Sequence, residues 1–551
     1  MKSFMKDKSS KWYILAGLSI VLLTYIPFFQ KGLFSCWDDS YHLYRIYSIA
    51  DAMKNRIFPV KIHFIECYGY GYGTGLFYPN LLFYFPALLV MCGLSLTLAY
   101  KIFAFCLMVA VFGTTFYSSR KLCGNRDGAF IAATIVLLSS KMLNAFYVGM
   151  SLGIITGMIF MSLAIAGMYI LVADEKFSYM IIVGFCGLLY SHTKSTLLTV
   201  CICGAICLFH IKNVFKKRIL IYLVYSVGIV SLLTAPYWLA MLEQMKSQLF
   251  KVKTPWTIAE QNVENIHTLT TRDGIGVLIL AVLLVCIVGS IYFLIVKKNT
   301  AIIKESCISE FLFIAIVVGL LPLCYPFWHF MNSVAGIRII QFPYRLWGPV
   351  SLLIAYVAGQ IYSLATSQLV HERRIRNCLV ILIVICGLVS GYCNFSSYYL
   401  KNDSTVVEQI INGEIAGLGG GEEWLPVMTT REYMQEPEVA RDNSGQPVNG
   451  KKEKGDSQFR FQADLSKEYY DVPYIYYKGY RAYLKNGDRL EIEQNQDTGM
   501  IRVMMPGTSG TVEVTVKYEM TKYQKISYIM LVVGIGVLLI LIWEERRKVH
   551  D

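Results

Sequence analysis

For most of its length the chain alternates long apolar runs with short polar breaks. A helix that crosses a bilayer needs about 20 consecutive apolar residues. Runs approaching that length lie at 12–29, 99–117, 127–142, 152–172, 178–191, 195–211, 218–239, 274–296, 308–327, 344–365, 377–395 and 525–543. Several are short, which points to irregular helices lining a cavity rather than facing lipid. A further apolar stretch, 77–96, contains Pro79 and Pro86. Basic residues cluster at 120–126, 212–218, 297–304, 371–376 and 546–548. If 77–96 does not cross, every cluster falls on the side of the N-terminus. If it crosses, all of them move to the opposite side. Positive charge gathers on the cytoplasmic face, so 77–96 reads as juxtamembrane or re-entrant. The pattern predicts about twelve transmembrane helices in a multi-pass plasma-membrane protein with both termini cytoplasmic. Lys2, Lys6, Lys8 and Lys11 precede the first run, which reads as a retained anchor.

The pattern changes near the end. Residues 397–457 are rich in Gly, Glu, Lys and Asn and show no apolar period, so they read as a linker. Residues 458–519 alternate apolar and polar positions, with turn signals at Lys485-Asn486-Gly487-Asp488 and Pro506-Gly507-Thr508. That predicts a small antiparallel, sandwich-like β unit. The expected organisation is a polytopic membrane domain over 1–396, with a first outer loop at 30–98. An extracytoplasmic β-rich domain at 397–524 follows. The last span and a basic tail occupy 525–551.

Composition narrows the class. Charged residues make up 16% of the chain, against about 25% in soluble domains. That excludes a simple soluble enzyme and a disordered chain. The formal charge of +13 lies in short clusters between apolar runs. A nucleic-acid binder would gather it in one stripe, so no nucleic-acid partner is expected. The 15 cysteines sit mostly within apolar runs, with no zinc-type spacing. Cys36 and Cys67 read as two unrelated buried thiols rather than a pair.

The strongest local signal is Trp37-Asp38-Asp39-Ser40-Tyr41-His42-Leu43-Tyr44-Arg45. On a helix Asp38, His42 and Arg45 share one face, and Asp39 lies three residues before His42. Adjacent carboxylates repel, which raises one pKa unless a cation intervenes. Such a pair suits a general base or a divalent-ion site. Asp-Asp-Ser also suits a plain helix cap, and the two roles are compatible. The loop continues through Lys61 to Tyr68-Gly69-Tyr70-Gly71-Tyr72-Gly73-Thr74-Gly75 and Phe77-Tyr78-Pro79. Tyrosine alternating with glycine suits a wall for a flat ligand or lipid headgroups; an interfacial aromatic belt is the other reading. Cations that could meet a phosphate on the outer side are Arg45, Lys61, Lys194, Arg338 and Arg345. Arg345 follows Phe342-Pro343 at the start of a run, where it could bind phosphate or snorkel to lipid. His192 and Lys194 form a polar break between two short runs, explained equally by a cavity or by a turn. Glu243 reads as a lipid-surface charge in preference to a second acid.

This constellation resembles the GT-C class of integral-membrane glycosyltransferases. It is similar, more narrowly, to the bacterial membrane family whose domain is called pyruvoyl-tetrahydropterin-synthase-related, and to multispan proteins that glycosylate lipoteichoic acid. The stretches that carry the likeness are Asp39-Ser40-Tyr41-His42-Leu43-Tyr44-Arg45-Ile46, Phe58-Pro59-Val60-Lys61-Ile62, Phe77-Tyr78-Pro79, Gln341-Phe342-Pro343-Tyr344-Arg345-Leu346 and Tyr476-Tyr477-Lys478-Gly479-Tyr480-Arg481-Ala482-Tyr483. The likeness as a whole spans Trp12 to about Arg547. The zinc-binding histidines of the soluble pterin enzyme have no counterpart here. The resemblance implies a polyprenyl-phosphate-linked sugar as donor and an envelope polymer or glycolipid as acceptor. Asp38 or Asp39 would be the base that activates the acceptor hydroxyl. Substrate contacts would come from His42, Arg45, Lys61, Tyr78, His192, Lys194 and Arg345. The one candidate cofactor is a divalent cation, for which Asp38 and Asp39 would be the ligands. Two rival readings are a transporter or flippase of lipid-linked sugars and a non-catalytic glycan-binding membrane protein. A transporter would carry charges near mid-span and matched broken helices in two halves.

Overall fold

A computed structural model describes residues 8–295, 306–334, 340–366, 372–399, 405–436, 438–452 and 457–550. The basic cluster at 297–304 and Arg338 lie outside them. The chain is mostly helical, with antiparallel sheet near its end. Among the described residues seven helices are long and apolar enough to cross a bilayer, or ten if each of three bent pairs is one span. Together they occupy ten of the predicted stretches; 178–191 and 195–211 hold the shorter apolar helices Tyr179–Leu189 and Thr193–Phe209. The ambiguous stretch 77–96 holds the short apolar helix Leu81–Met91, below the length a crossing needs. The composition and length of these helices are those of a polytopic membrane protein.

Backbone contacts divide the chain into two compact units. The first comprises Met1–Trp37, Lys101–Val230 and Thr257–Ser404. Its helices pack through small residues, which let backbones approach. A Cβ added at Gly128 would lie 2.2 Å from the carbonyl oxygen of Gly359. Two of its helix pairs are bent. Arg126–Leu137 and Ser140–Tyr147 meet at 47°, with Ser139 capping the second helix. Ile308–Leu323 and Tyr325–Asn332 meet at 78°, where Pro322 and Pro326 remove backbone donors. Arg376, counted above as a loop charge, is buried instead. It pairs with Asp127 at 2.6 Å and lies over the Trp12 ring at 3.8 Å.

The second unit comprises Asp38–Tyr100, Ser231–Trp256 and Thr405–Asp551. It is built on two five-stranded antiparallel sheets. One has the order β2-β1-β5-β9-β8, from Pro447–Val448 (β2), Ala440–Asp442 (β1), Tyr469–Ile475 (β5), Met500–Met504 (β9) and Ile492–Gln494 (β8). The other runs β3-β4-β10-β6-β7, from Gly450–Lys451 (β3), Gln458–Asp464 (β4), Thr511–Tyr518 (β10), Tyr480–Leu484 (β6) and Arg489–Leu490 (β7). Alternation sets the register. Val516 and Val514 pair with Phe459 and Phe461, all four turned into the core. The inner faces meet through Phe461 on Tyr470 at 5.2 Å and Tyr480 on Tyr474 at 5.4 Å. The turn predicted at Lys485–Asp488 is present, with Gly487 at positive φ, while Pro506–Thr508 lie in an irregular connection with Gly507 at positive φ.

Two expectations change here. The stretch read as a linker carries helices Val406–Asn412 and Arg431–Met434 and strands β1 to β3. The contacts also group the first outer loop with the β domain, unlike a linear division at 397. The Tyr-Gly run is the reason. Tyr70 and Tyr72 are buried in the core cluster that holds the sheet residues, neither walling a ligand nor forming a surface belt. The Ile475 amide donates to the Tyr70 carbonyl at 3.0 Å. Phe77 stacks on Trp424 at 5.0 Å, and the Tyr477 ring lies on Gly73, where a Cβ would come within 2.6 Å of it. The glycines bring tyrosine rings against bare backbone, and the rings fill the interior.

Candidate functional site

The sequence-predicted residues fall in both units. In the second, helix Asp39–Lys54 begins at the acidic pair. Asp38 occupies the N-cap position, and its side chain makes no cap hydrogen bond. Asp39 is buried, and its Oδ1 accepts the Ser40 amide at 2.6 Å. His42 and Arg45 do share a face. The His42 ring stacks on Phe83 at 5.7 Å, and the Arg45 guanidinium lies between Phe83, at 3.8 Å, and Tyr78, at 4.4 Å. Burial, then the charge of Arg45, pushes the His42 imidazole down to about 3. His42 is therefore neutral at physiological pH.

Arg45 is completely buried. Its Nη2 donates to the carbonyls of Tyr78 at 2.9 Å and Pro79 at 2.5 Å. Its Nε donates to Asn80 Oδ1 at 3.0 Å. An arginine can only donate, so that oxygen accepts and the Asn80 amide nitrogen must donate onward. It does so to the Val60 carbonyl and to His63 Nε2, both at 3.0 Å. His63 then carries its proton on Nδ1 and donates it to Glu66 Oε1 at 2.6 Å. The chain Arg45–Asn80–His63–Glu66 thus links a buried cation to a buried carboxylate through two neutral groups. Arg45 positions Tyr78 and the helix that bears the acidic pair. Lys61 lies apart from this chain. It donates to the Pro236 carbonyl at 3.2 Å, and burial pushes its ammonium down to about 8. Glu243, read as a lipid-surface charge, is buried and accepts from the Thr521 hydroxyl at 2.5 Å. Cys67 in this unit and Cys36 in the other are both free thiols.

In the first unit His192, Lys194 and Arg345 line one cavity with Ser195. His192 caps helix Thr193–Phe209, its Nδ1 accepting the Ser195 amide at 3.3 Å. Lys194 donates to Gln341 Oε1 at 2.7 Å, and the Arg345 guanidinium lies 4.9 Å from the Phe342 ring. Turn chemistry and cavity lining are both realised at 192–194. Lys141 adds a cation nearby, its ammonium 3.8 Å over the Tyr344 ring. The cavity measures about 20 Å³, room for one water.

Sequence reasoning missed His63, Glu66, Asn80 and Lys141. Lys141 carried a signal, as a lysine inside the apolar run 127–142. Among the described residues no group of three or more His, Cys, Asp and Glu side chains could hold a metal ion. A cation at Asp38 and Asp39 would draw the rest of its shell from water and substrate oxygens. Compared with protein-family models and with curated proteins, the chain finds no match.

Proposed function

We propose that the protein is a GT-C-type membrane glycosyltransferase moving a sugar from a polyprenyl-phosphate carrier to a cell-envelope acceptor on the outer face. In this reading it has twelve spans, both termini are cytoplasmic, and 30–98 and 397–524 lie outside. The observation that carries the reading is the acidic pair. Asp38 and Asp39 stand together at the start of a helix that Arg45 anchors through the Tyr78 and Pro79 carbonyls. One of them takes the proton of the acceptor hydroxyl. The acceptor oxygen bonds to the anomeric carbon as the polyprenyl phosphate departs from the opposite face, with inversion. Within the first unit Lys194, Arg345 and Lys141 supply cations of the kind a phosphate needs.

The deciding experiment offers membranes a panel of polyprenyl-phosphate sugars. Asp38→Asn and Asp39→Asn, singly and together, are assayed for transfer and for thermal unfolding. Loss of a base should lower transfer by roughly 10² or more with the folded protein retained. Near-normal turnover in the double variant defeats the catalytic assignment. Donor moved across the bilayer without sugar transfer would favour the flippase reading.

A further inference from the structure

The second unit contains a cavity of about 320 Å³ that the acidic pair does not use. Its wall includes Tyr47 and Phe64, with Tyr68 and Asn412, and the ion pair Lys452–Glu438. We infer that this cavity is a saccharide-binding site that takes a neutral glycan of one or two rings. Naming that glycan as part of the acceptor rests on the glycosyltransferase reading; the binding itself does not.

Three features of the wall select the ligand class. Its volume lies at the small end of the range for small-molecule sites, enough for one or two sugar rings. Its charges cancel, because Lys452 meets Glu438 at 2.9 Å. A cancelled pair gives no net attraction for a phosphate or a polyanion, while it still offers an ammonium and a carboxylate to neutral hydroxyls. Four aromatic rings, those of Tyr44, Tyr47, Phe64 and Tyr68, line the cavity beside Ile65 and Ile410. Tyr47 and Tyr68 are only half-buried, so their rings are open to the C–H faces of a pyranose. A ligand with apolar faces and an equatorial rim of hydroxyls matches that wall.

Backbone strain holds one of those rings in place. Cys67 and Tyr68 stand consecutively in the left-handed region, at φ 56° and 54°. That conformation is unfavourable for residues with side chains and persists where the surroundings enforce it. Here the Cys67 amide donates to the Ala416 carbonyl at 2.8 Å, and Lys452 donates to the Gly69 carbonyl. The same lysine thus serves the ion pair and the strained turn that presents Tyr68.

The test uses the full chain in nanodiscs, which keeps glycoside detergents away. Saturation-transfer difference NMR with methyl β-glucoside, methyl β-galactoside and lactose reads binding directly. At least one probe should receive saturation at its ring protons. Tyr68→Ala should weaken binding roughly three- to tenfold, the worth of one aromatic contact. Asn412→Trp, at an exposed helix end, should block the cavity and abolish the signal with the unfolding midpoint unchanged. If Tyr68→Ala does not fold, Asn412→Trp decides alone. Absence of saturation for all three probes overturns the site, as does binding that survives Asn412→Trp. Binding without any transferase activity defeats the transferase reading and keeps the site; transfer without binding defeats the site alone.

Discussion

Arg45 Nε donates to Asn80 Oδ1 at 3.0 Å, and this one bond fixes the proton position on His63 two groups away. Because arginine has no acceptor, each next member of the chain has a forced role, ending at Glu66. The buried charge of Arg45 is balanced by that carboxylate. Glu66→Gln keeps an acceptor for His63 but removes the balancing charge. An uncompensated buried ion costs about 3 kcal/mol, so the variant should unfold at a clearly lower denaturant concentration. An unchanged midpoint would show that Arg45 finds its charge balance elsewhere.

His42 makes the fold sensitive to acid. Burial and the neighbouring Arg45 lower its pKa from 6.5 to about 3. The unfolded chain therefore takes up a proton as pH falls below about 6.5, and the folded chain does not. The contribution is intact above that value. It is lost progressively as pH falls toward 3, by up to about 1.4 kcal/mol per pH unit. His42→Phe keeps the stack on Phe83 and should remove one proton from this slope. Stability measured between pH 4 and 7 checks it, and an identical slope in the variant rejects it.

Gly73 is needed for close packing. A Cβ there would stand 2.6 Å from the Tyr477 ring, which is fully buried and donates through its hydroxyl to the Trp424 carbonyl at 3.0 Å. Gly73→Ala should cost about 1–3 kcal/mol through overpacking. Gly420→Ala, where a Cβ meets nothing within 4 Å, serves as the control. Equal stability of the two variants would remove the packing argument.

Arg345 separates phosphate binding from lipid snorkelling. A guanidinium grips two phosphate oxygens, whereas an ammonium is a point charge. Arg345→Lys should weaken donor use by about 1.5–3 kcal/mol, visible as a raised KM for donor with acceptor saturation unchanged. Arg345→Ala should do worse. Donor curves that do not shift in the lysine variant assign the residue to the lipid surface.

The apolar runs were legible because each helix satisfies its backbone within one continuous segment, and every predicted stretch carries a helix. The sandwich was legible because Phe459, Phe461, Val514 and Val516 keep strict alternation. Strands β1 and β2 were not, since two or three residues give no period to read. The part played by Tyr70 and Tyr72 was hidden for another reason. Their packing partners lie far downstream, and a local pattern of tyrosine and glycine looks the same whether it faces a ligand or a sheet. The chain from Arg45 to Glu66 was invisible likewise, because its members sit in a helix and two loops that only tertiary structure aligns.

The shared core of the Tyr-Gly loop and the sheets sets a schedule for biogenesis. The Tyr70 hydroxyl donates to the carbonyl of Glu436, a residue 366 positions later. At ribosomal speeds of about 5–20 residues per second, the loop is made roughly 20–70 s before this partner exists. During that interval the Tyr70 carbonyl and hydroxyl lack Ile475 and Glu436, the partners they meet in the fold. Closing so long a loop is slow, and waiting segments are prone to mispairing. The loop at 38–100 thus reaches its final form only after the sheets have been synthesised, and a nascent chain stalled before them would leave it open to chaperones and proteases.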